Sequence, residues 1–192
     1  MRTPILKLTA AFAFLLALAG CQIWRPGGVT AKSKDGLASI SVPAGWVFTT
    51  AAPAGKSDLL ATKDGALLQC MTLKHHDLKD PLPNSKRTLK GGQSAFELAE
   101  AVADDLRANR EMLALKAIES MPVEIGGHSG FRLVVEYGVA HPTGLKIREA
   151  HYGVIVGTRL YDLSFAAPAR HYFGRDLPAF DAAAKSLQIS AQ

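Results

Sequence analysis

Cysteine is nearly absent: Cys21 and Cys70 are the only two in 192 residues. No C-x-x-C pair or zinc-type set can be built from them. With Cys21 used at the amino terminus, Cys70 has no partner for an internal disulfide. Inside the apolar run 66–73 it reads as a small buried hydrophobe rather than a reactive thiol. Long apolar runs are also missing. The run 8–18 is shorter than the about 20 residues that cross a hydrocarbon core, and no later stretch is a membrane helix. The net charge is +5, yet no dense Lys/Arg patch interleaves with aromatic residues, which argues against a nucleic-acid partner. There is no internal repeat and no low-complexity block.

The first 20 residues have a simple order. Arg2 and Lys7 charge the start, residues 8–18 are apolar apart from Thr9, and small residues precede Cys21. A charged start, a short apolar centre and a small-residue exit make a secretory signal peptide. Leu18-Ala19-Gly20-Cys21 resembles the bacterial lipobox at every position. The resemblance implies cleavage between Gly20 and Cys21, a diacylglycerol thioether on Cys21 and acylation of the freed amine. Stable anchoring takes more than one chain. Gln22 stands where an aspartate would hold such a lipoprotein in the inner membrane of a Gram-negative cell, so outer-membrane anchoring facing the periplasm is expected.

The organisation expected is a signal peptide at 1–20, a lipidated start and flexible tether at 21–36, and one domain at 37–192, a size that buries a real core. Trp24 and Arg25 are near enough to the anchor either to rest at the lipid interface or to make no contact. Alternation predicts a strand at 38–42, an extended run at 46–48 and a hairpin of 58–62 with 66–75 around Lys63-Asp64-Gly65. Residues 77–93, with Lys79, Lys86, Arg87 and Lys90, read as a long mobile loop that is either solvated or set against an anionic envelope component. Ser94 and Glu97 fit a capping box for a helix ending near Asn109, with Phe96, Ala99, Val102, Ala103 and Leu106 inward. Strands follow at 112–119, 122–125, 131–139, 145–156 and 159–165. Apolar residues on both faces of the later strands require a cover on both sides of the sheet. A last helix is predicted over 177–187, with Asp176 as its cap and Pro178 in its first turn.

Four stretches carry a family resemblance: Ile40-Ser41-Val42-Pro43-Ala44-Gly45-Trp46; Ile125-Gly126-Gly127-His128-Ser129-Gly130-Phe131-Arg132-Leu133; residues 157–168; and Phe180 through Ser186-Leu187-Gln188-Ile189. Together they resemble the PsbP-like domains, including those of DcrB-type envelope lipoproteins, over about residues 37–189. The resemblance implies an α+β fold, an antiparallel β-sheet with helices packed on its faces as an α/β/α sandwich. It also implies a binding or accessory role without shared catalytic residues.

The chemistry-bearing side chains are sparse. Gly127-His128-Ser129-Gly130 lacks the spacing of G-x-S-x-G and precedes a strand, so a hairpin turn is expected rather than a nucleophile elbow. Gly126-Gly127 lacks the Lys-Ser/Thr and helix start of a phosphate loop. His75 and His76 are neighbours on a strand and point to opposite faces, which disfavours a shared metal ion. His128, His141 and His171 are scattered. Glu149 and His151 share a strand face and could form an acid/base pair. The expected function is a lipid-anchored, non-catalytic envelope binding module without cofactor or metal. The alternatives are a hydrolase using His151 with Glu149 or Ser129, and metal or small-ligand binding at His75 and His76.

Overall fold

A computed structural model describes residues 23–51, 57–141 and 144–190. The expected signal peptide and the expected cleavage and lipid-attachment residues Gly20 and Cys21 lie outside the described residues. Among the described residues, two antiparallel sheets and two helices build the domain. Its elements are β1 (Arg25–Pro26), β2 (Val29–Lys32), β3 (Ala38–Val42), β4 (Val47–Thr49), β5 (Leu59–Thr62), β6 (Cys70–Asp77), α1 (Ala95–Arg107), β7 (Leu113–Ile125), β8 (His128–Gly138), β9 (Lys146–Val156), β10 (Arg159–Pro168), α2 (Tyr172–Lys185) and β11 (Gln188–Ile189). The large sheet runs β1-β4-β5-β6-β10-β9-β8-β7 and the small one β11-β3-β2. No helix among the described residues is long and apolar enough to cross a membrane.

The large sheet is covered on both faces, as its two-sided apolar strands require. Phe131, Leu133, Val135 and Tyr137 of β8 pack with Leu160 under α1. The opposite face carries Val134, Val154, Tyr161, Leu163 and Phe165, which pack with α2 and with Ile40 and Val42 of the small sheet. Phe165 stacks on Phe173 and Phe180 of α2 and meets the edge of Trp46. Such aromatic contacts add about 0.5–1.5 kcal/mol each beyond area burial. The α+β sandwich is therefore as expected.

Several local expectations are corrected. The tether does not extend over 25–32. β1 pairs with β4 and β2 with β3, and the Gly27 and Gly28 amides donate to the Trp46 and Val42 carbonyls at 2.7 and 2.8 Å. The folded domain thus begins by Arg25, not at residue 37. β6 begins at Cys70, because the Leu68 and Gln69 amides turn back onto the Gly65 carbonyl. The loop of 77–93 is pinned rather than free. Leu82 and Leu89 are buried under α1, and Asp105 accepts from the Asn84 and Ser85 amides at 2.9 and 2.8 Å. The capping box of α1 is present, and Ala99, Val102 and Ala103 are buried as expected, but Phe96 is 59% exposed, and Ala95 and Leu98 are buried instead. The strands of 112–119 and 122–125 are one bulged strand. α2 starts at Tyr172, so Pro178 lies inside the helix and Asp176 does not cap it. Stacking of Phe173 on Phe165 favours the extra turn, and Asp176 pairs with Lys63 and Arg175. The β7–β8 turn is Gly126-Gly127, with φ of 57° and 82°. Two consecutive left-handed residues are the type I′ geometry that glycine adopts without strain.

Candidate functional site

The α1 face of the large sheet changes character along its width. Over β8 it is apolar and lies beneath α1. Over β9, β10 and β6 the same face carries Glu149 and His151, Asp162 and Ser164, and Thr72 and Lys74. Strand alternation places them together, because Ser164 is in register with both His151 and Thr72, and Asp162 with Lys74. This polar strip floors a cleft of about 540 Å³, within the usual size of ligand pockets. Val102, Asp105 and Leu106 of α1, with Asn109 just after it, wall one side, and Leu82, Pro83 and Asn84 of the pinned loop form a rim.

His151 is the centre of the floor and only 2% exposed. Its Nδ1 lies 3.1 Å from both Asp162 oxygens. Its Nε2 lies 3.5 Å from Glu149 Oε1, but has no hydrogen-bond partner among the described residues. The second Glu149 oxygen accepts from the Tyr137 hydroxyl at 3.1 Å. Burial opposes protonation of His151, but the charges of Asp162 and Glu149 outweigh it and hold its pKa above the usual histidine value. Burial and the neighbouring Glu149 carboxylate push the Tyr137 phenol upward, which keeps it a hydrogen donor. Ser164 Oγ and Thr72 Oγ1 bond each other at 2.8 Å.

The structure thus brings Glu149 and His151 together, as their shared strand face anticipates. It adds Asp162 and Tyr137, which come from separate strands. Ser129 is exposed beside the β7–β8 turn and pairs with Glu124, whereas His151 sits opposite Leu133. The sequence stretch around Ser129 is a hairpin, not an elbow. His75 Nδ1 bonds Asp58 at 2.7 Å, while His76 Nε2 bonds the Asp80 carbonyl at 2.9 Å. Among the described residues no three His, Cys, Asp or Glu side chains are grouped to hold a metal ion. Burial pushes the Cys70 thiol up to about 11. Of the loop cations, Lys86 donates to the Pro83 carbonyl at 2.6 Å and Arg87 pairs with Asp104 at 3.5 Å; Lys79 and Lys90 are exposed.

No family model matches the sequence, and no curated protein matches it. Solved structures do resemble it. Cyanobacterial PsbP (CyanoP) from Synechocystis is similar at TM-score 0.57 and 13% identity, over 88% of this chain and 94% of that one. The Ran-binding protein Mog1p of Saccharomyces cerevisiae is similar at TM-score 0.60 and 8% identity, over 85% and 95%. A protein of Bacteroides thetaiotaomicron is similar at TM-score 0.54 and 12% identity, over 86% of this chain and 50% of that one. These likenesses show the PsbP-like fold.

Proposed function

We propose that the chain is a lipid-anchored envelope protein, held at the outer membrane through Cys21, that acts as a non-catalytic binding or accessory module. Its binding site is the cleft between α1 and the β6-β10-β9 floor. The lipobox resemblance supports the anchor, and the fold supports the accessory role; the yeast neighbour with this fold is itself a binding protein.

One observation carries the binding reading over a hydrolytic one. Both nitrogens of His151 face carboxylates, Asp162 on one side and Glu149 on the other. A nucleophile-activating histidine needs a hydroxyl or thiol on its free nitrogen, and here that direction holds Glu149. The Ser164 hydroxyl is engaged with Thr72. The cleft instead suits a guest with an apolar body against Val102, Leu106 and Met112 and a hydrogen-bonding head against Glu149 and Lys74.

A photo-crosslinking residue at Asn109, on the cleft wall, is expected to give a discrete adduct in cells carrying the anchored protein. The same residue at Glu100, exposed on α1, is expected to give none. Equal labelling at both positions, or none at Asn109, contradicts a cleft that receives a guest.

A further inference from the structure

The amino-terminal corner has a cationic groove that the cleft does not use. β1 ends the large sheet and β2 ends the small one, so each has one strand edge without a partner strand among the described residues. The Gly27-Gly28 corner between them is pressed against the β3–β4 turn. A Cβ on Gly27 would collide with the Pro43 carbonyl, which is why glycine stands there. The groove between these edges is about 600 Å³ and is lined by Arg25, Lys32, Lys34, Val29 and Phe48.

Three features give the groove a direction. Arg25, Lys32 and Lys34 are exposed, and none makes a side-chain hydrogen bond or ion pair among the described residues. The adjacent carboxylate, Asp35, is taken by Ser33 and Arg159. Exposed apolar side chains accompany them: Ile23, 56% exposed, and Trp24, 38% exposed, directly precede Arg25 in the chain, and Val29 lines the groove. Last, Arg25 is four residues after Cys21. Four residues cannot span more than about 14 Å, so an acyl chain on Cys21 brings the groove to the headgroup layer. Cations and an exposed indole are the side chains that settle at a charged lipid interface.

We infer that the β1–β2 groove binds the anionic headgroups of the bilayer that carries the anchor, with Trp24 and Ile23 entering the interface and Arg25, Lys32 and Lys34 meeting phosphate. This rests on the anchored reading for the identity of the surface. It adds an orientation: the β1–β2 corner faces the membrane.

The chain starting at Gln22 contains every described element and both cores, so the groove can be tested apart from the anchor. Trp24 is an intrinsic reporter, since the other tryptophan, Trp46, is 2% exposed. With vesicles of phosphatidylcholine and phosphatidylglycerol at low salt, Trp24 emission is expected to shift to the blue and to be quenched by brominated acyl chains. Vesicles of phosphatidylcholine alone are expected to leave it unchanged. Lys32→Gln and Lys34→Gln are each expected to weaken binding about fivefold, and added salt to weaken it further. Binding indifferent to both substitutions, or equal on the neutral vesicles, overturns the inference. So does displacement by millimolar inorganic phosphate, which would make this a free-anion site. Failure here leaves the anchor untouched, because acylation is read separately from the mass of the amino-terminal peptide of the cell-derived protein.

Discussion

Replacing His151 by leucine is expected to lower the unfolding free energy by about 3 kcal/mol, the usual cost of removing one partner from a buried charged cluster. The imidazole stands between Asp162 at 3.1 Å and Glu149 at 3.5 Å. Leucine would fill the space but leave two carboxylates in a poorly solvated floor with no cation between them. Combining His151→Leu with Asp162→Asn and Glu149→Gln should recover much of the loss, since neutral partners remove the unpaired charges. The effect carries a pH signature. The folded-state pKa of His151 is raised above 6.5, so its contribution is complete below about pH 6.5 and declines as pH rises through the higher folded-state value. Urea unfolding of both chains across pH should therefore show the stability gap narrowing upward from about pH 6.5. A gap that widens over that range contradicts the clamped imidazolium.

Gly153→Ala should cost a similar amount for a different reason. Gly153 of β9 lies in register with Phe131 of β8, and the Phe131 ring covers it so closely that a Cβ would overlap the ring atoms Cζ and Cε1. Phe131 is fully buried beneath α1, so the ring has no open direction in which to swing. Overpacking of this kind costs about 1–3 kcal/mol, and the upper end is expected because the fully buried Phe131 ring cannot yield. The urea midpoint should fall with an unchanged slope. The double variant Gly153→Ala with Phe131→Leu should be less destabilised than the sum of the two changes, because the smaller side chain vacates the overlap. Additive effects, or a loss below about 0.5 kcal/mol for Gly153→Ala, would show that the ring is not what enforces the glycine.

Much of the fold was legible in local chemistry. The Ser94–Glu97 pair marked the start of α1, and both halves of the reciprocal cap form, with the Ser94 amide donating to Glu97 at 2.7 Å and the Glu97 amide to Ser94 at 3.3 Å. The alternating strands of the meander declared their faces, and Gly126-Gly127 their turn. Strands of two and four residues, β1 and β2, are too short to show a period, so a corner of the fold read as a tether. Ala99, Val102, Ala103 and Leu106 of α1 pack inward as their spacing indicates, and only Phe96 departs from that stripe. Ala95 and Leu98 are buried in its place. The early start of α2 depends on Phe173 finding Phe165, a contact between distant segments.

The site was half legible for a similar reason. Glu149 and His151 are two apart on one strand, and Asp162 and Ser164 two apart on the next, so each pair's shared face follows from alternation. Their meeting depends on the β9–β10 register, and a slip of two residues would preserve every face while separating His151 from Asp162. The coupling of Tyr137 to Glu149, twelve residues along the chain and across β8 and β9, has no sequence signal at all.

Whether this domain hangs from a membrane is read from the intact mass of the amino-terminal peptide of the protein recovered from its native cell envelope. The expected chain begins at Cys21 and carries a diacylglycerol thioether and an acylated amine, both lost in Cys21→Ala. A mature chain beginning elsewhere, or an unmodified cysteine at its first position, would contradict it.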